Sequence, residues 1–343
     1  MAGPVWSQAS TRIEYWMSKG MVRMAPEITP SDSTTQGSET TPTAAGRATG
    51  NKFFFGPNGI RAGWRMLIAI ALFVLFIFLM QAGAKRVPAF EAWRHSAPKG
   101  VFTPGIMLIG EGIQALSIFL AVIVMTFIEG RSFADYGLPG KEAFGKRFWQ
   151  GMPYGFAMIT IMLALVAAFH GFSFGGWALG RADALRYGFL YLIAFILTGI
   201  FEELSFRGYL QATLASATGF WPAAVVLAVG FGALHLRNLG EAPVGALSAG
   251  SFGLLCAFTL RRTGNIWFAI GMHTAWDWGE TYFYGVADSG QLARGHLLNS
   301  SFHGPVWLTG GSVGPEGSVF VFAVLLVSAA IIHFMFPARR TAS

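Results

Sequence analysis

The chain has 343 residues, of which 53% are hydrophobic and only 12% are charged, and its formal net charge is +7. A soluble domain carries about 25% charged residues, so this composition excludes an ordinary soluble protein and indicates an integral membrane protein. The positive charge does not indicate nucleic-acid binding, because Lys and Arg in a membrane protein mainly set its orientation. The single cysteine, Cys256, excludes an internal disulfide and a multi-cysteine metal site.

Residues 1–60 are predicted to form a cytoplasmic extension of the membrane domain. Residues 31–50 are rich in Ser, Thr and Gly and lack large apolar side chains, a composition typical of a disordered tether. Before this tether, helical spacing places apolar residues on one face and basic residues on another. The apolar face has Ile13, Trp16, Met17, Met21 and Met24, and the basic face has Arg12, Lys19 and Arg23. Two alternatives stay open for this segment, an interfacial amphipathic helix and a loosely ordered extension.

Residues 61–343 are predicted to form an all-α bundle of about eight transmembrane helices, from the length of the apolar runs. The predicted spans are 64–84, 103–128, 149–169, 187–206, 219–236, 243–261, 265–285 and 317–336. A short polar turn around Thr213–Gly219 is expected between the fourth and the fifth. His273, Asp277 and Glu280 interrupt the seventh span, a pattern typical of a helix that lines a cavity.

The distribution of basic residues predicts the orientation of the bundle. Sixteen of the 24 Lys and Arg residues lie on the side of the two termini and eight lie on the other side. Since cytoplasmic segments carry the excess of Lys and Arg, both termini are predicted to be cytoplasmic. No internal repeat is evident, which disfavours a transporter built from inverted halves.

The sequence Glu202-Glu203-Leu-Ser-Phe-Arg207 follows an apolar stretch, although a charge in hydrocarbon costs about 2.5 kcal/mol or more. Residues four apart share a helix face, so Glu203 is expected to pair with Arg207. Glu202 is rotated by about 100° from Glu203 and is expected to point into the bundle. The spacing thus predicts one structural and one free carboxylate.

Two later apolar segments carry histidines. His235 lies one turn after Phe231, and His273 lies one turn before Asp277. The second pair can bind a metal, or the carboxylate can orient the imidazole. With Glu202, these residues leave two designs open. A glutamate and a histidine can activate a water while the other histidine donates to an oxyanion, or all four can bind a zinc ion that activates the water.

Other hydrolytic designs are disfavoured by the sequence. No histidine is followed by glutamate, which excludes an HExxH zinc motif. No lysine follows Lys146, which excludes a Ser/Lys dyad in the later helices, and Asp277 is the only aspartate within a predicted span. Glu111, in the second span, is expected to pack against a polar partner.

The three motifs resemble those of the CAAX protease and bacteriocin-processing (CPBP, or ABI) family of intramembrane proteases. That family has EExxxR, FxxxH and HxxxN or HxxxD on successive late helices, matching Glu202–Arg207, Phe231–His235 and His273–Asp277 over a core of about residues 100–285. The resemblance implies about eight helices. It also implies that Glu202 and His235 activate the water and that His273 and Asp277 complete the site. The aspartate at the last position keeps metal ligation open.

The expected function is therefore an intramembrane endopeptidase that uses an activated water, in a multi-pass membrane protein that contacts lipid. Its expected substrate is a membrane-delivered or lipid-modified (CAAX-like) protein or peptide, cut near its C-terminus. Prenylation of the substrate and a requirement for zinc stay open, as do two other functions on the same scaffold: a non-catalytic modulator and a proton-coupled transporter.

Overall fold

The computed structural model describes residues 53–56, 59–88, 90, 103–238 and 240–337. The tether and the amphipathic segment predicted within residues 1–50 lie outside these ranges. The described chain forms a bundle of helices, so the all-α membrane fold predicted from the composition is confirmed.

The helices follow the apolar runs of the sequence. In chain order they are α1 (Ala62–Lys85), α2 (Pro104–Glu129), α3 (Lys146–Ala168), α4 (Arg181–Glu203), α5 (Gln211–Thr218), α6 (Phe220–His235), α7 (Pro243–Thr263), α8 (Trp267–Asp277), α9 (Val306–Thr309) and α10 (Phe320–Met335). Two π-helical segments, Leu204–Leu210 and Trp278–Tyr284, continue α4 into α5 and extend α8.

Five of the described helical segments are long and apolar enough to cross a membrane. They are α1, α2, α3, α7 and the continuous stretch Arg181–Thr218, while α6 and α10 are shorter apolar helices. Each of the eight predicted spans overlaps a helix, and the number of eight crossings stays a prediction.

Short non-helical elements join the helices. Strands β1 (Phe55–Gly56) and β2 (Gly59–Ile60) form one antiparallel pair, and β3 (Phe172–Ser173) and β4 (Ser301–Phe302) form another. Phe172 lies opposite Phe302 in the second pair. Short 3-10 turns occur at Phe133–Tyr136, Gly140–Glu142 and Pro315–Gly317.

The polar turn predicted around Thr213–Gly219 is corrected by the structure. The fourth helix does not end near Phe206 but continues through the π segment and α5 to Thr218. The chain reverses at Gly219, whose φ of 85° is strained for residues with a Cβ. The hydroxyls of Ser216 and Thr218 donate to backbone carbonyls one turn earlier, so these polar side chains are hydrogen-bonded within the helix.

Helix α8 packs on α3 at backbone distance through glycines. A Cβ on Gly151 or Gly155 of α3 would overlap the carbonyl oxygen of Phe268 or Met272 on α8, and a Cβ on Gly271 would overlap that of Phe148. Gly151 and Gly155 form the small-xxx-small spacing that permits close approach of membrane helices. The contact of Gly155 with Met272 thus holds α8 against α3 at the residue directly before His273.

Gly155→Ala is expected to destabilise the protein by about 1–3 kcal/mol, because the new methyl group must push the two helices apart. Thermal unfolding of the purified protein measures the effect. Gly83→Ala on α1 is the matched control, since a Cβ there meets no atom within 4 Å. Equal unfolding temperatures for the two variants would contradict the close contact.

Large apolar side chains cover the outside of the bundle. Leu67, Val74 and Phe78 on α1 and Phe334 on α10 are exposed, whereas Trp276 of α8 is buried. In water such an apolar surface is unfavourable, so the surrounding medium of these helices is lipid. The chain is an integral membrane protein.

The predicted orientation can be tested with reporters. Because of the asymmetry in Lys and Arg, fusions at the N-terminus and at the C-terminus are both expected to report a cytoplasmic location. A cytoplasmic signal at one end and an external signal at the other would contradict an even number of crossings.

Candidate active site

A cavity of about 330 Å³ lies between helices α2, α4, α6, α7 and α8. Its lining includes the four residues that the sequence singles out for chemistry: Glu202, His235, His273 and Asp277. These residues come from three helices and are separated by up to 75 positions in the chain. The bundle therefore brings the three motifs to one cavity, as the catalytic interpretation requires.

Both carboxylate-bearing site helices change to π geometry directly after their site residues. Glu202 and Glu203 end α4 before Leu204–Leu210, and Asp277 ends α8 before Trp278–Tyr284. In the π segment after α4, the Ser205 hydroxyl donates to the carbonyl of Phe201 at 2.6 Å and competes with the backbone hydrogen bonds of the helix. π turns are rare and occur frequently at functional sites.

Glu203 and Arg207 form the buried ion pair that their spacing predicts. Nη1 of Arg207 lies 3.1 Å from Oε1 of Glu203, and both side chains are almost fully buried. Nε of Arg207 donates to the carbonyl of Gly253 at 3.2 Å, and the guanidinium lies 4.2 Å from the ring centroid of Phe231. A Cβ on Gly253 would overlap Nη2 of this guanidinium, so a larger residue there would have to displace the Arg207 side chain.

His273 lies among three carboxylates. Its Nδ1–H donates to Oε1 of Glu203 at 2.9 Å, while Nε2 lies 3.5 Å from Oε2 of Glu202 and 3.6 Å from Oδ2 of Asp277. The ring packs edge-on against Phe252. The i,i+4 spacing predicts the approach to Asp277, whereas the bond to Glu203 had no signal in the sequence.

Glu202 retains a free carboxylate oxygen on the cavity. Its side chain is 19% exposed, and Oε2 is buried and accepts no hydrogen bond from the described residues. Glu203 is fully buried, does not line the cavity, and binds both Arg207 and His273 through Oε1. A buried carboxylate oxygen without a donor is costly, and a water in the cavity can supply that donor.

His235 lines the cavity and has one ring nitrogen, Nε2, that is not used in its bond to the backbone. Nδ1 lies 2.8 Å from the carbonyl oxygen of Phe231. Since a carbonyl only accepts, Nδ1 carries the proton, and Nε2 of the neutral ring is an acceptor. Within the described ranges His235 forms no ion pair with a carboxylate, so the imidazole that directly neighbours Glu202 belongs to His273.

The four predicted zinc ligands do not form a preassembled metal site. Tetrahedral zinc places its ligand atoms about 3.4 Å apart, which the distances from His273 to Glu202 and to Asp277 match. However, no choice of one ligand atom from each of Glu202, His273 and Asp277 brings all three atoms within 4.8 Å of one another. In the described part of the chain, only Glu280, Asp288 and Glu316 bring three ligand atoms within that limit. Zinc at the predicted site requires side-chain movement.

Three further acidic residues line the cavity. Glu111 of α2 accepts a hydrogen bond from Gln114 at 3.0 Å, the kind of polar partner expected for it, but also faces the cavity. Asp288 and Glu316 reach the cavity from loops. Burial raises the pKa of Asp288, and the charge of Glu316 raises it further. These loop residues follow no motif, so sequence reasoning missed them.

Comparison with known families supports the motif assignment. Residues 184–279 match the family model described as type II CAAX prenyl endopeptidase, Rce1-like. The match contains all three motifs and implies an intramembrane protease. No curated protein matches the chain. The helical core at residues 184–279 is therefore similar to the Rce1-like CAAX proteases, in agreement with the resemblance of its motifs to those of CPBP proteases.

Proposed function

We propose that this protein is an intramembrane endopeptidase in which Glu202 activates a water for attack on a peptide carbonyl. The observation that carries the proposal is that the carboxylate of Glu202 lines the cavity, with an Oε2 that accepts no hydrogen bond from the described residues and lies 3.5 Å from Nε2 of His273. The adjacent Glu203 does not line the cavity and is fully buried, and its Oε1 is held by Arg207 and His273.

In this proposal each polar group has a role in one hydrolysis. Glu202 accepts a proton from the water, and the resulting hydroxide bonds to the carbonyl carbon. Nε2 of His235 helps to hold the water by accepting its second proton in a hydrogen bond. Nε2 of His273, when protonated, donates to the developing oxyanion. Glu202 then returns its proton to the leaving nitrogen as the C–N bond breaks, giving a carboxylate and an amine.

Glu203, Arg207 and Phe231 support this machinery. Glu203 fixes the orientation of His273 through Nδ1, and the Phe231 carbonyl fixes that of His235. The Phe231 ring also lies beneath Arg207 and against His235. In both histidines the partner of Nδ1 fixes the orientation of the ring and leaves Nε2 for the reaction. These contacts form one connected set around Phe231, Arg207 and Glu203.

The proposed substrate is a membrane-delivered protein or peptide cut near its C-terminus, with a prenylated CAAX-like protein as the first candidate. The family match points to this class. The site supports it because polar residues and apolar residues share the cavity: Ile106, Met107 and Phe195 line it beside Glu202. An apolar wall accommodates a lipid-bearing segment next to the attacking water.

The purified protein in proteoliposomes, supplied with farnesylated and unmodified CAAX peptides, tests this proposal. Cleavage in H2(18)O should place one heavy oxygen in the new carboxylate, as detected by mass spectrometry. Absence of cleavage with retained binding of the peptide would favour the modulator alternative. Flux of protons without cleavage would favour the transporter alternative.

The requirement for metal is a separate prediction. Zinc, when bound, would activate water by lowering its pKa, and Glu202, His235, His273 and Asp277 would hold it. Because these ligands are not preassembled, we expect activity to persist in protein holding less than about a tenth of an equivalent of zinc per chain. Activity and metal content should be measured in parallel after chelation.

Loss of activity on chelation that zinc restores would contradict a metal-independent reaction. In that case Asp277→Asn should weaken zinc binding, because the variant removes the charge of a ligand. The matched comparison is Glu111→Gln, which removes a carboxylate from the same cavity outside the four proposed ligands.

A further inference from the structure

A second polar group lies beside the active-site cavity. Carboxylate oxygens of Glu280, Asp288 and Glu316 all lie within 4.8 Å of one another. Glu280 belongs to the π segment after α8, Asp288 to the loop that follows, and Glu316 to the turn before α10. None of the three belongs to the motifs of the protease family.

The charge of this acidic triad is not balanced by protein groups. In the described ranges none of its members forms an ion pair with Lys or Arg. Three carboxylates this close repel each other strongly in a partly buried site. A buried charge without a partner is expensive, so the triad needs either protons or a cation.

Glu280 is the independent sign of a missing ligand. It is fully buried, and both of its carboxylate oxygens lack a hydrogen-bond partner among the described residues. An oxygen of this unpartnered side chain lies within 4.8 Å of oxygens from Asp288 and Glu316. Buried polar atoms almost always have a hydrogen-bond partner or another ligand. The groups of the same type near Glu280 are the carboxylates of Asp288 and Glu316, so a ligand shared by all three would lie among them.

The other two acids are held in place for a common partner. Glu316 accepts hydrogen bonds from the backbone N–H and hydroxyl of Ser289 at 3.1 and 2.6 Å and from the indole of Trp276 at 3.3 Å. Asp288 accepts from the Thr281 hydroxyl at 2.9 Å. These bonds leave lone pairs on each carboxylate, since an ionised carboxylate has about four acceptor positions.

We propose that Glu280, Asp288 and Glu316 bind a hard divalent cation, with Ca²⁺ preferred to Mg²⁺. Ca²⁺ binds oxygen at about 2.3–2.6 Å, so opposed ligands lie up to about 5 Å apart, whereas Mg²⁺ allows about 4.2 Å. Because the three oxygens lie within 4.8 Å of one another, they fit the Ca²⁺ span at any separation that this limit permits. Three carboxylates, neighbouring hydroxyls and cavity water can supply the six to eight oxygens that Ca²⁺ takes.

The cation would tie together the elements that cover the active-site cavity. Asp288, Ser289 and Glu316 all line that cavity, and the backbone of Gly290 donates to the carbonyl of Val313 at 2.9 Å, joining the two loops. A bound cation would connect both loops to the π segment after α8, at a residue three positions after Asp277. This site is separate from hydrolysis and does not depend on the proposed protease activity.

Terbium luminescence tests the site directly, because Tb³⁺ replaces Ca²⁺ and Trp276 lies next to Glu316. Full-length protein, stripped with EGTA, should show saturable sensitised emission that Ca²⁺ removes at lower concentration than Mg²⁺. Glu280→Gln and Asp288→Asn should each weaken Tb³⁺ and Ca²⁺ binding by about 10- to 100-fold. Glu111→Gln and Glu202→Gln should bind as tightly as wild type.

Wild-type protein without saturable Tb³⁺ emission, and without a Ca²⁺-dependent rise in unfolding temperature up to millimolar Ca²⁺, would overturn the proposal. Unchanged binding in folded Glu280→Gln or Asp288→Asn would also overturn it. Weaker binding in Glu202→Gln would place the cation at the active site instead. If both triad variants fail to fold, the Ca²⁺ response of the wild type decides.

Discussion

Glu202→Gln is expected to abolish measurable turnover, with a loss of at least about 10²–10⁴-fold in kcat. The amide keeps the size of the side chain but cannot accept the proton of the attacking water. Expression and unfolding temperature should be retained, because Oε2 of Glu202 accepts no hydrogen bond from the described residues. Single-turnover cleavage of a CAAX-type peptide by the purified variant measures the effect.

Two other glutamates sharpen this experiment. Glu111→Gln removes a carboxylate from the same cavity and should leave kcat within a few-fold of wild type. Glu203→Gln should instead lower stability, because Glu203 is fully buried against Arg207 and His273. Wild-type turnover in Glu202→Gln, measured with confirmed sequence and purity, would refute the assignment of the base.

Arg207→Ala is expected to destabilise the protein by about 3–5 kcal/mol, because it leaves the carboxylate of Glu203 buried without its cation. The substitution also removes the contact of the guanidinium with Phe231 and the bond to the Gly253 carbonyl. Yield and thermal unfolding in detergent report the loss. Arg186→Ala, an exposed arginine on the same helix, should change stability by no more than about 0.5 kcal/mol.

The double variant Glu203→Gln with Arg207→Ala separates charge from packing. A neutral glutamine needs no cation and can still accept a hydrogen bond from Nδ1 of His273. The double variant should therefore be more stable than the sum of the single losses predicts, by about 1 kcal/mol or more. Strict additivity would show that the two residues do not act as a pair.

Local spacing was sufficient for several parts of the site. Glu203 and Arg207 are four apart on a helix, so their pairing required no knowledge of the tertiary fold. The approach of His273 to Asp277 follows from the same rule. The apolar runs likewise predicted where helices form, because their length is set by the thickness of a bilayer.

Other parts of the site depended on helices that are distant in sequence. The bond between His273 and Glu203 joins residues 70 positions apart, and it forms because glycines let α8 pack on α3 and α4 at backbone distance. Neither the Glu202–Arg207 motif nor the His273–Asp277 motif indicated that Glu203, rather than Glu202, accepts the hydrogen bond from Nδ1 of His273. The extension of the fourth helix to Thr218 was also missed, since its polar residues satisfy their hydroxyls within the helix.

The amino-acid sequence by itself determined the membrane class, the helical runs and the three motifs, because hydrocarbon admits few charges and the exceptions stand out. Only the tertiary structure decided that Glu202 rather than Glu203 lines the cavity, that His273 is the imidazole beside it, and that Glu280 lies close to Asp288 and Glu316. Hydropathy and helical periodicity act over a few turns, whereas these contacts depend on how separate helices and loops pack together.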